Sequence, residues 1–322
     1  MLEAILEALA SPFIYLGTAE KRVYAPAMVV ALVLALWVYR RQGTREQRSM
    51  GATFRALLCS RVWFGRSARL DYQLLVTNAL VRVWANASAL IPPAGVAALV
   101  SVGMDTTMGP CSELGVSRSM IALVYTVSLF VVGDFSRYAV HLLFHRVAVL
   151  WELHKVHHSA TSMTPFTVYR MHPIESFVFG LRGVFVSGMI TGVFYYLFRA
   201  ELHAVDLLGV NALGLVFNML GANLRHSHVW LSYGSKVEHV LISPAQHQIH
   251  HSIDVEQYDR NFGSCFAIWD WVFGTLYVTH GRESLTFGVG SEPEAHHWWD
   301  AVITPMRRSL RRLATKESEP SS

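Results

Sequence analysis

Apolar residues along this chain gather in long runs, separated by short basic or histidine-bearing segments. Residues 23–39, "VYAPAMVVALVLALWVY", approach the ~20 residues a helix needs to cross a bilayer core, and they stop at Arg40 and Arg41. Residues 74–100 form a longer run, interrupted by "IPP" and diluted by Arg82 and Asn86. Residues 119–133 lead into the first histidines. The runs 177–198 and 204–222 are joined through "FRAEL", a link so short that the two helices are expected to form an antiparallel hairpin. The opening residues, "MLEAILEALASPFIYLG", lack the basic start of a signal peptide and have the spacing of an amphipathic helix, expected at the outer surface.

Composition sharpens this pattern. The 322 residues are 52% hydrophobic and 16% charged, against ~25% charged in soluble domains, so the chain reads as an integral membrane protein. Between the first two runs stand Arg40, Arg41, Arg45, Arg48, Arg55, Arg61, Arg66 and Arg69, with almost no acid to balance them. The positive-inside rule places that loop in the cytoplasm. Counting onward, every histidine cluster returns to the cytoplasmic side, as does the basic tail "RRSLRRLATK". Cys59, Cys111 and Cys265 make no CxxC, so neither a disulfide framework nor a cysteine zinc site is expected. The end "KESEPSS" reads as disordered.

The chemistry lies in three histidine motifs: "HLLFH" (His141, His145), "HKVHH" (His154, His157, His158) and "HQIHH" (His247, His250, His251). A spacing of three or four puts rings on one helix face, where they can reach a metal ion without a loop. A lone histidine on an apolar helix is more often a packed residue than a ligand, but two separate HxxHH patterns defeat that reading for the set. Neutral imidazole suits iron, zinc, copper and nickel. Eight histidines exceed what one tetrahedral zinc uses, which points to two metals.

This ensemble resembles the membrane fatty acid hydroxylase superfamily of sterol desaturases, sterol methyl oxidases, alkylglycerol monooxygenase and fatty acid 2-hydroxylases. The likeness runs over roughly residues 120–290. It includes the lead-in "DFSRYAVHLLFH", the element "YRMHPIE" and the closing "DRNFGSCFAIWDWVFGTLY". The resemblance implies iron ligation by those eight histidines, with His226 and His172 added at positions where family members carry a further histidine and a His-Pro. His228 stands as a substitute for His226, whereas His203, His239, His280, His296 and His297 match no ligand position. Asp134, Tyr138 and Glu175 are the candidate catalytic or histidine-orienting residues, because a ligating imidazole usually donates its other N–H to an oxygen. Asp259 and Asp270 are similar candidates, and each of these acids has an arginine or backbone partner as its alternative. Asn218 and Asn223 either face a polar interior or cap and pack helices.

The fold expected is all-α: a multi-span helical membrane protein with a cytosol-facing, histidine-rich helical cap. Residues 1–70 would be an anchor and basic loop, 71–290 the catalytic domain, and 291–322 a basic, partly disordered tail. The expected activity is a di-iron oxidoreductase that uses O2 to hydroxylate or desaturate a lipid drawn from the bilayer. No nicotinamide or flavin fingerprint, iron–sulfur pattern or haem attachment motif is present, so electrons are expected from a separate reductase, ferredoxin or cytochrome. No nucleic-acid partner is expected. The alternative is a membrane zinc-binding protein or zinc hydrolase on the same cluster, although no HExxH occurs. The lack of an organelle address favours a bacterial inner membrane.

Overall fold

The computed structural model describes residues 2–19, 21–42, 49–87, 92–111, 114–198, 204–290 and 297–315. His203, His296, Arg45, Arg48, the "FRAEL" link beyond Phe198 and the "KESEPSS" end lie outside them. The helices are α1 (Leu2–Gly17), α2 (Ala25–Gln42), α3 (Met50–Leu57), α4 (Ser60–Phe64), α5 (Arg66–Ala87), α6 (Pro93–Met108), α7 (Arg118–Arg146), α8 (Ala148–His158), α9 (Pro173–Phe198), α10 (Ala204–Met219), α11 (Pro244–His250), α12 (Ile268–Val272) and α13 (Trp298–Thr315). No strand forms among the described residues; two isolated bridges, Leu241 with Phe266 and Ser252 with Phe287, pin the loops.

Among the described residues, two helices, α7 and α9, are long and apolar enough to cross a membrane. They run antiparallel: the Tyr125 hydroxyl meets Thr191 Oγ1 at 2.9 Å at one end, and Phe144 stacks on Phe179 at the other. α6 packs on α9 where Gly188 and Gly192 remove side-chain bulk. A Cβ at Gly188 would stand 2.5 Å from Val96 Cβ, and one at Gly192 would stand 2.6 Å from the Ala97 carbonyl. This spacing of four between small residues is what lets apolar helices approach closely.

The apolar runs resolve into packed helices. The 74–100 run is two helices, α5 and α6, because "IPP" cannot continue a helix. α9 packs on α6 and α7, while α10 packs on α7 and α2, so the two arms of the expected hairpin share α7 as a neighbour. Arg22, just before α2, lines a cavity with His141, and Tyr39 near its end faces the His228 ring at 6.3 Å. The stripe Ala31, Ala35 and Val38 buries against Leu57, Leu224, Val229 and Leu231. The Tyr15 ring of α1 lies 5.5 Å from that of Tyr169. Ala301 of α13 is buried with Leu70, Leu74 and Val156. Residues 298–315 are therefore a docked helix, with Arg312 Nε 2.8 Å from Glu152 Oε1 and Ser309 Oγ 2.8 Å from the Val149 carbonyl.

Buried polar groups fix the ends of the histidine-bearing helices. Arg170, 1% exposed, gives Nε to the Val156 carbonyl at 2.9 Å and Nη2 to the Ser159 carbonyl at 3.2 Å. It thereby satisfies the last carbonyls of α8, where a cation is also favoured by the helix dipole. Its charge is balanced by Asp71 Oδ1 at 3.1 Å, itself bonded by the Thr167 hydroxyl at 2.6 Å. α11 starts with a capping box between Ser243 and Gln246 and has Pro244 in its first turn. The Gln246 and Gln248 amides then tie it to the Glu238, Tyr277, Leu224 and Val229 carbonyls.

Two predictions follow from these clamps. Asp71→Ala leaves a buried, uncompensated guanidinium and should cost ~3–5 kcal/mol in unfolding free energy. Asp270 accepts from Phe262 N, Gly263 N and the Thr275 hydroxyl at 2.6–2.7 Å. Asp270→Asn turns an amide donor toward one of them and should cost ~1–3 kcal/mol. Denaturant unfolding in detergent reads both, and wild-type midpoints would refute the assigned roles.

Candidate metal centre

α7 ends in a one-residue corner at Val147, and α8 begins at once. This corner folds the His145 ring against those of His154 and His158, each 4.8 Å away. α11 and the turn at 222–226 close over the pair, and nine histidines meet in two groups. His141, His145, His154, His158 and His250 form one; His157, His226, His247 and His251 form the other. Within each group the candidate ligand atoms lie within 4.8 Å of one another.

The boxes divide between the groups by helical register. His154 and His158, four apart, share a face and serve the first group, while His157 turns to the second. In the other box, His247 and His251 serve the second group and His250 the first. Each HxxHH thus gives a same-face pair to one group and a single ring to its neighbour.

Tautomers show what these rings are built for. His141 donates Nδ1–H to the Phe262 carbonyl at 2.9 Å, and His250 donates Nδ1–H to the Arg260 carbonyl at 2.8 Å. His157 gives its Nδ1–H to the Arg170 carbonyl at 3.2 Å, and His154 to Glu175 Oε1 at 2.6 Å. His145 Nδ1 faces Asp259 Oδ1 at 3.4 Å. A neutral ring that donates through Nδ1 has only a lone pair at Nε2. Burial holds His154, His158, His226, His247, His250 and His251 well below the ordinary imidazole range, and His157 down to about 3.

Those lone pairs converge. His141 Nε2 is 3.1 Å from both His154 Nε2 and His250 Nε2; His226 Nε2 is 2.9 Å from His247 Nε2 and 3.4 Å from His157 Nε2. Nitrogens ~2.0–2.1 Å from a common ion stand ~3.0 Å apart at a right angle and ~3.4 Å apart at the tetrahedral angle. His145 Nε2, His158 Nε2 and both ring nitrogens of His251 are buried without any hydrogen-bond partner. Buried nitrogens left unpaired at these separations fit a cation in each group, and neutral imidazole suits a transition metal.

The other candidate residues take different places. His172 belongs to neither group: its Nε2 is 2.9 Å from the Val302 carbonyl and its Nδ1 accepts from Ile174 N at 3.1 Å, so no nitrogen is left for a metal. Asp134 orients no imidazole; its carboxylate takes Cys265 N, Phe266 N and the Trp269 indole N–H at 2.9–3.0 Å, clamping the closing loop. Tyr138 bonds Thr275 Oγ1 at 3.2 Å and is likewise a clamp. Glu175 is the one of the three expected catalytic residues with a hydrogen bond to a clustered histidine. His228 stands outside both groups, against Tyr39. Asn218 lines the cavity, and the Asn223 amide is buried unpaired.

Sequence reasoning missed the three backbone carbonyls of Arg170, Arg260 and Phe262. The "DRNFG" segment carried a signal for two of them. Asp259 and Asn261 adopt φ of 56° and 57°, a conformation that Asp and Asn tolerate better than other side chains, and this aims successive carbonyls at the rings. Gly263 must be glycine, since a Cβ there would stand 2.5 Å from the Phe266 carbonyl.

A cavity of about 590 Å³ opens on His141, His154, His157, His226 and His247 and extends between α7, α9 and α10 past Leu129, Phe130, Phe179 and Phe217.

Comparisons with known proteins agree with this geometry. Residues 126–275 match the family model for fatty acid hydroxylase. Alkylglycerol monooxygenase from Homo sapiens is 26% identical over 162 residues, 50% of this chain and 32% of its own length. Ornithine lipid hydroxylase OlsE from Rhizobium tropici is 26% identical over 165 residues, 49% of this chain and 44% of its own. C-4 methylsterol oxidase erg25 from Schizosaccharomyces pombe is 26% identical over 191 residues, 58% of this chain and 60% of its own. The chain thus spans about a third to three-fifths of the length of these relatives. No solved structure matches it. Residues 126–275, which hold all nine clustered histidines, are the part of the chain that matches the fatty acid hydroxylase family model.

Proposed function

We propose that this chain is a membrane-bound di-iron oxidoreductase that hydroxylates or desaturates a lipid with O2 and electrons from a separate donor protein. The observation that carries the reading is the convergence of Nε2 lone pairs in two groups of five and four histidines. The relatives' names, a monooxygenase, a lipid hydroxylase and a sterol oxidase, favour iron over zinc as the occupant. His141, His145, His154, His158 and His250 would hold one ion, and His157, His226, His247 and His251 the other.

Bound iron supplies O2 activation, by which a C–H bond, O2, two electrons and two protons become C–OH and water. The chain's own part is positioning and exclusion. Glu175 and the carbonyls of Arg170, Arg260 and Phe262 fix ring orientation, so that little reorganisation accompanies metal binding. The apolar cavity wall of Leu129, Phe130, Phe179 and Phe217 keeps water from the histidines and offers a path for an alkyl chain between α7, α9 and α10.

In this reading α7 and α9 cross the bilayer. The cap faces the cytoplasm, because Arg40, Arg41, Arg55, Arg61, Arg66 and Arg69 belong to its side of the molecule. The exposed arginines of α13, on the same side, would dock an acidic redox partner. A bacterial inner membrane fits this arrangement.

Purified, iron-loaded protein supplied with a reductase should place label from 18O2 in a hydroxylated lipid; label taken from water would overturn the oxygenase reading. His157→Ala and His250→Ala should each abolish turnover and lower bound metal, whereas His239→Ala, at a half-buried ring outside both groups, should change neither. Glu175→Gln should weaken metal binding ~10–100-fold, read by chelator competition. Unchanged affinity would show that Glu175 does not position His154.

A further inference from the structure

The cavity beside the histidines has an unbalanced charge. Lys21, Arg22, Arg82, Arg137, Arg182 and Arg225 line it, against two acids, Asp134 and Glu175. Both acids are already engaged, Asp134 by three N–H donors and Glu175 by His154. Arg182 turns to the Gly133 carbonyl and Ser136 Oγ, and Arg225 to the Ser264 carbonyl. Those acceptors are neutral, and Nε of each arginine is buried without a partner, as is Nη1 of Arg22. Arg22 and Arg225 lie against the same Phe217 ring, 5.6 and 5.2 Å from its centroid, so two guanidinium groups share one aromatic partner. Burial, then Arg225 and Arg137, draw the Arg22 guanidinium down to about 9. Arg137 extends from α7 one turn before His141 and sits on the same helix face as Asp134.

Cations concentrated in a low-dielectric cavity repel one another unless an anion joins them. Planar guanidinium groups match carboxylate and phosphate oxygens, and several converge here next to the proposed metal centre. The same cavity also has apolar walls, at Leu129, Phe130 and Phe179. The geometry points to a substrate that is an anionic amphiphile, its carboxylate or phosphate held by Arg22, Arg137, Arg182 and Arg225 beside the histidines and its alkyl chain running along the phenylalanines. This specificity rests on the proposed lipid oxidoreductase reading, and a neutral sterol or alcohol headgroup would leave the arginines unanswered.

The test is calorimetric titration of the iron-loaded full chain in non-ionic detergent with dodecyl phosphate, dodecanoate, dodecanol and inorganic phosphate. At least one of the two anionic amphiphiles should bind roughly ten-fold or more tighter than dodecanol, the size of one charge-assisted hydrogen bond. Arg137→Gln should remove most of that preference while leaving dodecanol binding within about two-fold. Arg22→Gln, which lies outside α7 and α9, serves the same purpose if Arg137→Gln fails to fold. Equal affinity for dodecanol and the anions, or variants that keep the preference, would overturn the inference. Inorganic phosphate binding as tightly as dodecyl phosphate would overturn the amphiphile and leave a free-anion site. Binding is read without turnover and iron is counted on the same sample. Loss of the anion preference with iron retained therefore defeats this inference alone, and anion preference without iron supports it while defeating the oxidoreductase reading.

Discussion

Burying imidazoles side by side is tolerable only when each ring's protons and lone pairs have somewhere to go, and much of this fold answers to that constraint. The "YRMH" turn delivers the Arg170 carbonyl to His157, and the "DRNFG" loop delivers those of Arg260 and Phe262 to His250 and His141. The acids Asp134 and Asp270 then hold the closing loop, and Arg170 with Asp71 holds the end of α8. What remains unpaired after these bonds is a set of Nε2 lone pairs facing inward. Structure and chemistry meet there: the bonds that stabilise the cap also decide which nitrogen each ring presents.

The clustered histidines were legible because helical spacing is a local property. His141 with His145, His154 with His158, and His247 with His251 all reduce to the rule that residues four apart share a face. The same rule, applied to the middle histidine of each box, explains why a box serves both groups. The role of His172 could not be read in this way. Its fate depends on the Val302 carbonyl, 130 residues further on, delivered by a helix that composition marked as a tail.

Long apolar runs proved less informative than short polar spacings. Residues 23–39 have the length and composition of a span, and their alanine stripe also packs on Leu224, Val229 and Leu231, a tertiary contact that hydropathy cannot register. Asp134 and Tyr138 share the face of α7 with His141, which made them look like orienting groups. The loop that wraps past that face claims them first, through backbone N–H groups and Thr275. In both cases the competing partner comes from far along the chain. The arginines of the cavity were visible only as scattered charges at 22, 82, 137, 182 and 225 until folding brought them together.

The central claim is that the two histidine groups hold two metal ions. The most direct measurement is elemental mass spectrometry on full-length protein purified in mild detergent after anaerobic reconstitution with ferrous iron. About two iron ions per chain, with at least one lost in His157→Ala and at least one lost separately in His250→Ala, is the result the two-group geometry predicts. A single ion, or none, bound by protein that remains folded would contradict it.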